Sequence, residues 1–204
     1  MNAILAFAAA LVSLRLAADL VRRLRRRRSS ELAAWAAALA AYAVASAALA
    51  AGAAGGWHDA TFRVYYLFGG LLTAPLLGVG SLLRAGIRAA APAGLVYSGL
   101  ALGVALAMPL THPVTGSSIP KAQAHLDVLP ARVLAIAGNS LGTLAVVAVA
   151  LVTMRRRPRG NVLILAGVAV AAVGSALTGL GEAGTSASLA VAAALLYGGV
   201  VSAR

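Results

Sequence analysis

Neutral hydrogen-bonding side chains interrupt the apolar stretches of this sequence and are its first candidates for chemistry. Asn139 and Thr143 stand four residues apart in "GNSLGT", so they share one face of a helix. An amide has two donor hydrogens and an acceptor oxygen that need partners. Inside a membrane such groups either contact a solute or join neighbouring helices. Both interpretations stay open, and Asn139 is predicted to face the bundle interior near Thr73 or Tyr66 rather than lipid.

The stretch "FRVYYLFGGLLTAP" supplies a second group of candidates for a ligand-binding wall, namely Tyr65, Tyr66 and Thr73. Pro75 ends this stretch and frees a backbone carbonyl. The helix then either kinks at the proline or presents the carbonyl oxygen to a ligand. Tyrosines are also typical of the membrane interface, and this second interpretation of the pair stays open. Tyr97 is a weaker candidate of the same kind.

One acidic and one basic residue lie within the first apolar segment. Arg15 and Asp19 are one helical turn apart on the same face. One interpretation is an intrahelical pair with Arg15 extending to the membrane surface. The other is a gate at the inner mouth of a pathway.

Metal and thiol chemistry find little support. The chain has no cysteine, so it has neither disulfides nor thiolate ligands. The spacing of its histidines and carboxylates matches no metal-ligand motif, and the sequence predicts no metal, cofactor or catalytic residue and leans against an enzyme. It leaves open whether the residues on one side of the membrane come together: His58, His112, His125, Asp59, Asp127 and Glu182.

Composition points to a polytopic, all-α membrane protein forming one domain over 1–204. Hydrophobic residues make up 61% of the chain, charged residues 11%, and mean hydropathy is +0.91, whereas soluble domains carry about 25% charged residues. A membrane-spanning helix needs about 20 apolar residues. Seven segments are predicted to span the membrane: 2–21, 32–54, 62–83, 90–110, 131–153, 161–181 and 186–202.

Arginine is distributed unequally between alternate loops. Thirteen arginines, including the runs Arg22–Arg28 and Arg155–Arg159, fall on one side, and only Arg63, Lys121 and Arg132 are basic on the other. Since short loops rich in Lys and Arg stay cytoplasmic, the N-terminus is predicted outside and the C-terminus inside. Both runs are expected to attract anionic lipid headgroups. No stacking aromatics interleave with them, so nucleic acid is not an expected partner.

The chain partly matches itself at an offset of 129 residues. Arg26–Arg28 fall on Arg155–Arg157, and the pair Gly69–Gly70 falls on Gly198–Gly199. The predicted units are 3–75 and 132–204, joined by the linker helix 90–110 and the outer loop 111–130. Because one linking helix reverses the chain, both three-helix units point the same way and form a parallel repeat, with spans 1–3 repeated as spans 5–7.

An order of three spans, one linker and three spans resembles the sugar-transporter and PQ-loop group in topology alone. That group carries a Pro-Gln pair in its first and fifth spans, which this chain lacks. The segments "FRVYYLFGGLLTAPLLGVGSLL" and "ARVLAIAGNSLGTL" resemble an uncharacterised family of multi-pass actinobacterial membrane proteins. This resemblance implies a bacterial plasma-membrane protein and brings no activity.

Two function classes follow from the sequence. The first is a small-solute transporter or binding protein with a cavity between the repeats. The alternative is a scaffold, subunit or sensor whose polar residues serve helix packing only. A cavity lined by the polar candidates favours the first class, and solid packing favours the second. A small-molecule ligand and a second copy of the chain are the further partners left open.

Overall fold

The computed structural model of the protein describes residues 2–176 and 191–199, and all regular structure in those ranges is helical. The predicted all-α class is therefore confirmed for the described residues. Each predicted apolar segment coincides with a helix where it is described. The helices are α1 Asn2–Arg26, α2 Ser30–Gly55, α3 Asp59–Arg84, α4 Ala90–Ala107, α5 Ala122–His125, α6 Val128–Val152, α7 Pro158–Ala176 and α8 191–199.

The lengths and surfaces of these helices indicate a membrane protein. Four of the described helices, α2, α3, α4 and α6, are long and apolar enough to cross a membrane. Large apolar side chains on their outward faces are not covered by the rest of the protein. Leu95 and Leu106 of α4 are 76% and 74% exposed, and Leu141 of α6 is 68% exposed. Soluble monomers rarely present broad apolar surfaces to water. These faces are suited to contact with lipid.

One end of the bundle, here called the arginine end, holds the turns α1–α2, α3–α4 and α6–α7. Ser29 caps α2, since its side-chain oxygen accepts the Leu32 N–H at 3.3 Å. Three arginines in the last turn of α1 interact favourably with the negative end of the helix dipole. Gly86 has φ +90°, a left-handed conformation that suits glycine, and lets the chain turn after α3.

The opposite end of the bundle is covered by the connection between α4 and α6, which contains α5. The backbone N–H of Trp57 donates to the Gly116 carbonyl at 2.7 Å. A carboxylate oxygen of Asp59 accepts the Val114 N–H at 2.8 Å. Val114 and Leu126 are buried in the same apolar cluster as Trp57. This connection is therefore packed onto the α2–α3 turn.

Within the described ranges, six helices form a ring in the order α1, α2, α3, α6, α7, α8. Neighbouring helices from α1 to α7 are packed against one another. A Cβ built on Gly167 of α7 would lie 2.9 Å from Leu196 of α8, so these two helices touch closely. The ring closes where the Tyr197 hydroxyl of α8 donates to Asp19 of α1. Helix α4 lies outside the ring, against α3 and the start of α6.

The glycine pairs of the predicted repeat meet different neighbours. A Cβ on Gly69 would lie 3.2 Å from Ala45 of α2, whereas one on Gly199 would lie 2.7 Å from the Gly160 carbonyl of α7. Each pair faces the preceding helix of its own triplet, but the close contacts are not equivalent. The end of the predicted span 161–181 and both ends of the predicted span 186–202 lie outside the described residues.

Helices α3 and α6 cross without side chains between them. A Cβ on Gly78 would lie 2.7 Å from the Cα of Gly142, and a Cβ on Gly142 would lie 2.8 Å from the Cα of Pro75. Small residues of this kind allow the close backbone approach common in membrane helix pairs.

Candidate functional site

A cavity of about 460 Å³ lies at the centre of the ring, between α2, α3, α6, α7 and α8. Its volume falls within the range of about 300–1,000 Å³ typical of small-molecule sites. Most of the wall is made of Ala, Gly, Val and Leu, and no charged side chain belongs to the lining among the described residues. The polar lining consists of Tyr42, Ser46, Tyr65, Tyr66, Thr73, Asn139 and Thr143.

Five of the six residues that the sequence nominated for ligand binding line this one cavity. Asn139 and Thr143 come from α6, and Tyr65, Tyr66 and Thr73 come from α3. The two α6 residues share a face because they are four positions apart on a regular helix. Residues from two distant parts of the sequence therefore meet because α3 and α6 are neighbours in the ring.

The α3 wall of the cavity is not a regular α-helix. A π-helical turn over Tyr66–Leu72 precedes Pro75, which has no N–H to offer to the Leu71 carbonyl. Both features leave carbonyl groups without the usual helical partner. Three side chains supply the hydrogens: Thr73 Oγ1 donates to Phe68 O at 2.7 Å, Asn139 Nδ2 to Gly70 O at 2.7 Å and Tyr97 Oη to Leu71 O at 2.9 Å.

Asn139 joins two helices and also belongs to the cavity lining. Its bond to Gly70 joins α6 to α3, and the same side chain lines the cavity beside Tyr66 and Thr73. The side chain lies where the sequence predicted, inside the bundle and not against lipid. The bond uses one amide hydrogen, and an amide has a second hydrogen and an acceptor oxygen to offer a ligand.

Tyr97 is placed differently from the prediction, because it is not part of the cavity lining. Its hydroxyl donates to the Leu71 and Leu134 carbonyls at 2.9 and 3.2 Å, so it joins α4 to both α3 and α6. The physical reason is Pro75, which leaves the Leu71 carbonyl open to a donor from the neighbouring helix. Tyr97 is therefore a packing residue in this structure.

Tyr97→Phe is expected to lower the free energy of unfolding in detergent by about 0.6–2 kcal/mol, the range for an interhelical hydrogen bond in a membrane protein. Tyr42→Phe is the matched control, since the Tyr42 hydroxyl is buried without a hydrogen-bond partner among the described residues. We expect this control to be neutral or slightly stabilising. Equal losses in both variants, measured by thermal unfolding, would contradict the bond assignment.

Sequence reasoning missed two cavity residues, Tyr42 and Ser46 of α2. They stand four residues apart in "AAYAVAS", a spacing that places both on one helix face. The signal was present, because a buried hydroxyl in an alanine-rich span needs an explanation. Asn139 drew attention first, since an amide is the more unusual group in a membrane span.

Asp19 closes the ring at the arginine end, but not through the predicted pair with Arg15. Arg23 Nε donates to Asp19 at 2.8 Å, Arg22 lies 3.7 Å away, and the Tyr197 hydroxyl donates to the same carboxylate. Arg15 is exposed. Helical side chains lean toward the N-terminus, so a long arginine four residues after the acid reaches back to it better than one four residues before. The expected Arg15–Asp19 pair is therefore wrong.

The three histidines of the opposite end contact residues near them in the chain, whereas Asp59 joins two segments. The His125 ring nitrogen lies 3.2 Å from the His112 carbonyl, and the His58 ring contacts the Thr61 hydroxyl. Asp59 accepts a backbone N–H from the connection before α5. In 2–176 and 191–199 no group of three or more His, Cys, Asp or Glu could hold a metal ion. Glu182 lies outside the described residues.

No protein-family model, curated protein or solved structure matches this chain. The function is therefore inferred from the cavity and the groups that surround it.

Proposed function

We propose that this protein is a transporter or binding protein for a small, uncharged, partly apolar solute that occupies the central cavity. The observation that carries the proposal is the cavity of about 460 Å³ with hydroxyl and amide groups in an apolar wall. Such walls fix the orientation of a ligand with a few polar contacts and hold it by apolar burial. An ion would be disfavoured, because burying a charge without a counter-charge is expensive.

The proposal includes seven membrane spans, an outer N-terminus and a parallel three-helix repeat. The order of neighbours around the ring supports the repeat. Exchanging α1, α2 and α3 for α6, α7 and α8 turns the pairs α1–α2, α2–α3 and α3–α6 into α6–α7, α7–α8 and α8–α1, and all six pairs are in contact. Substrate sites of repeat transporters tend to lie between the two units, which is where this cavity lies.

A reporter fused after the C-terminus is expected to be cytoplasmic, and one inserted at Gly116 periplasmic. The reason is the excess of arginine in the turns of the arginine end. The measurement is paired alkaline phosphatase and fluorescent-protein fusions in a bacterial host. The same compartment for both sites would reject three spans between Gly116 and the C-terminus, and reversed signals would reject an outer N-terminus.

A second candidate function is a scaffold or subunit whose polar groups only hold helices together. The bonds from Asn139 and Tyr97 to carbonyls of α3 favour it, since both side chains join helices. Bonds of this kind do not explain Tyr42, a residue of the cavity lining whose hydroxyl is buried without a partner among the described residues. This hydroxyl is the observation that separates the two candidates.

The cavity proposal is tested with three probes that share a ring and differ in charge: benzyl alcohol, benzoate and benzylamine. We expect benzyl alcohol to raise the thermal midpoint of the purified protein in a saturable way, and the two ions to have no such effect. Ser46→Leu places an isobutyl group in the cavity and is expected to weaken the response at least about tenfold, a free-energy change of about 1.4 kcal/mol.

Ser140→Leu is the matched control, because Ser140 lies on the exposed face of α6. It should keep the full response to benzyl alcohol. Equal responses of both variants would mean that the alcohol acts through the detergent and that the cavity is not its site. Saturable binding of either ion in the wild type and its loss in Ser46→Leu would contradict the uncharged-solute proposal.

A further inference from the structure

A second, smaller pocket of about 150 Å³ lies at the arginine end, between α2, α3, α6 and α7. Three arginines, Arg84, Arg156 and Arg157, belong to its lining, together with Trp35 and Asn161. The pocket adjoins the central cavity, since Val146 lines both. We propose that this pocket binds a phosphate-class anion, either the headgroup phosphate of an anionic lipid or free phosphate. This goes beyond the function proposed for the central cavity.

Packing against an aromatic ring holds one arginine of this pocket in place. The Arg84 guanidinium lies over the Trp35 ring, 5.4 Å from its centroid, and Trp35 itself is only 2% exposed. Stacking on an aromatic face holds a guanidinium in place while its N–H groups remain directed along its edges. Arg84 comes from α3, whereas Arg156 and Arg157 come from the α6–α7 turn. Positive charge from two distant parts of the chain converges on one pocket.

A buried amide completes the polar wall. Asn161 is 5% exposed, and its Nδ2 donates to the Thr153 hydroxyl at 2.9 Å. The Thr153 hydroxyl in turn donates to the Val149 carbonyl at 2.6 Å. These bonds fix the amide, whose second hydrogen is a further donor for an anion. The site also adjoins the first turn of α7, where the helix dipole favours negative charge.

The chemistry of the lining selects an oxyanion. Guanidinium groups bind the oxygens of phosphates through paired hydrogen bonds, and the described lining holds three arginines and no carboxylate. A volume of about 150 Å³ leaves room for a tetrahedral anion together with ordered water. With the arginine end predicted at the inner membrane surface, lipid phosphates lie at the same depth.

The experiment measures the thermal midpoint of the full chain in neutral detergent with two separate additions. One is inorganic phosphate against chloride at equal ionic strength, and the other is phosphatidylglycerol against phosphatidylcholine in mixed micelles. We expect at least one of these additions to give a saturable rise of about 2–4 °C. A rise with phosphatidylglycerol alone identifies the lipid as the source, and a rise with inorganic phosphate identifies the free anion; either supports the pocket.

Two variants test the location. Arg156→Gln with Arg157→Gln is expected to weaken the response at least about tenfold, while Arg25→Gln with Arg28→Gln removes the same charge from the α1–α2 turn and should leave it intact. Asn161→Asp places a carboxylate in the pocket and should also abolish the response, although the neighbouring arginines keep the fold stable. Equal loss in the α1–α2 control would show diffuse attraction and overturn the proposal. A full response in Asn161→Asp, or no response of the wild type to either addition, would overturn it as well.

Discussion

Gly142→Ala is expected to lower the free energy of unfolding by about 3 kcal/mol, at the upper end of the range for overpacking. The added methyl group would lie 2.8 Å from the Cα of Pro75 and close to the Ala74 carbonyl. These neighbours are backbone atoms, so no side chain can rotate away to make room. Helices α3 and α6 would have to separate, and the Asn139 bond between them would lengthen.

The matched control for this prediction is Gly99→Ala on α4, where an added Cβ has no neighbouring atom within 4 Å. Alanine is a better helix former than glycine by up to about 1 kcal/mol, so this variant should be neutral or more stable. The measurement is unfolding in a mixed-detergent titration. Similar stability of the two variants would mean that α3 and α6 do not cross at Gly142.

Asn139→Asp is expected to be nearly as damaging. A carboxylate cannot donate to the Gly70 carbonyl, so the bond of 2.7 Å becomes a contact between two acceptors. In addition, an aspartate near the middle of a membrane helix costs about 2.5–3.5 kcal/mol on insertion scales. We expect a loss of about 3 kcal/mol at neutral pH.

Acid should reverse part of this loss, because a protonated carboxyl has a hydroxyl that can donate to the Gly70 carbonyl. Asn161→Asp is the matched control, since the arginines around Asn161 compensate a new carboxylate. The two variants are compared by thermal unfolding at neutral and acidic pH. An Asn139→Asp protein as stable as the wild type at neutral pH would contradict the placement of Asn139 between α3 and α6.

Periodicity and polarity are sufficient to locate the helices and five of the seven polar residues of the cavity wall. Several helical ends agree with the apolar segments because glycine interrupts the helix there, as at Gly56 and Gly86, but α1 continues through the arginines to Arg26. Asn139 and Thr73 could be nominated from sequence because a polar group inside an apolar span requires a partner, and partners are available only inside the bundle.

The role of Tyr97 could not be predicted, because it depends on which helix lies next to Pro75. A proline indicates that one helical carbonyl lacks its usual backbone donor, but it does not indicate which side chain will donate to that carbonyl. The partner of Asp19 was missed for a related reason. Arg15 and Arg23 are both four residues away, and the choice between them depends on the direction in which helical side chains lean. The small pocket under Trp35 joins residues more than a hundred positions apart and has no local signature.

The crossing of Gly78 and Gly142 has a mechanical consequence. Backbones in direct contact at one point have no side chains between them, so a change in the crossing angle of α3 and α6 would pivot about that point. Such a tilt would move the helix ends near Trp57 apart and bring those near Arg84 closer together. For the transporter proposed above, such a tilt would open the cavity to one end at a time, about a pivot of two glycines.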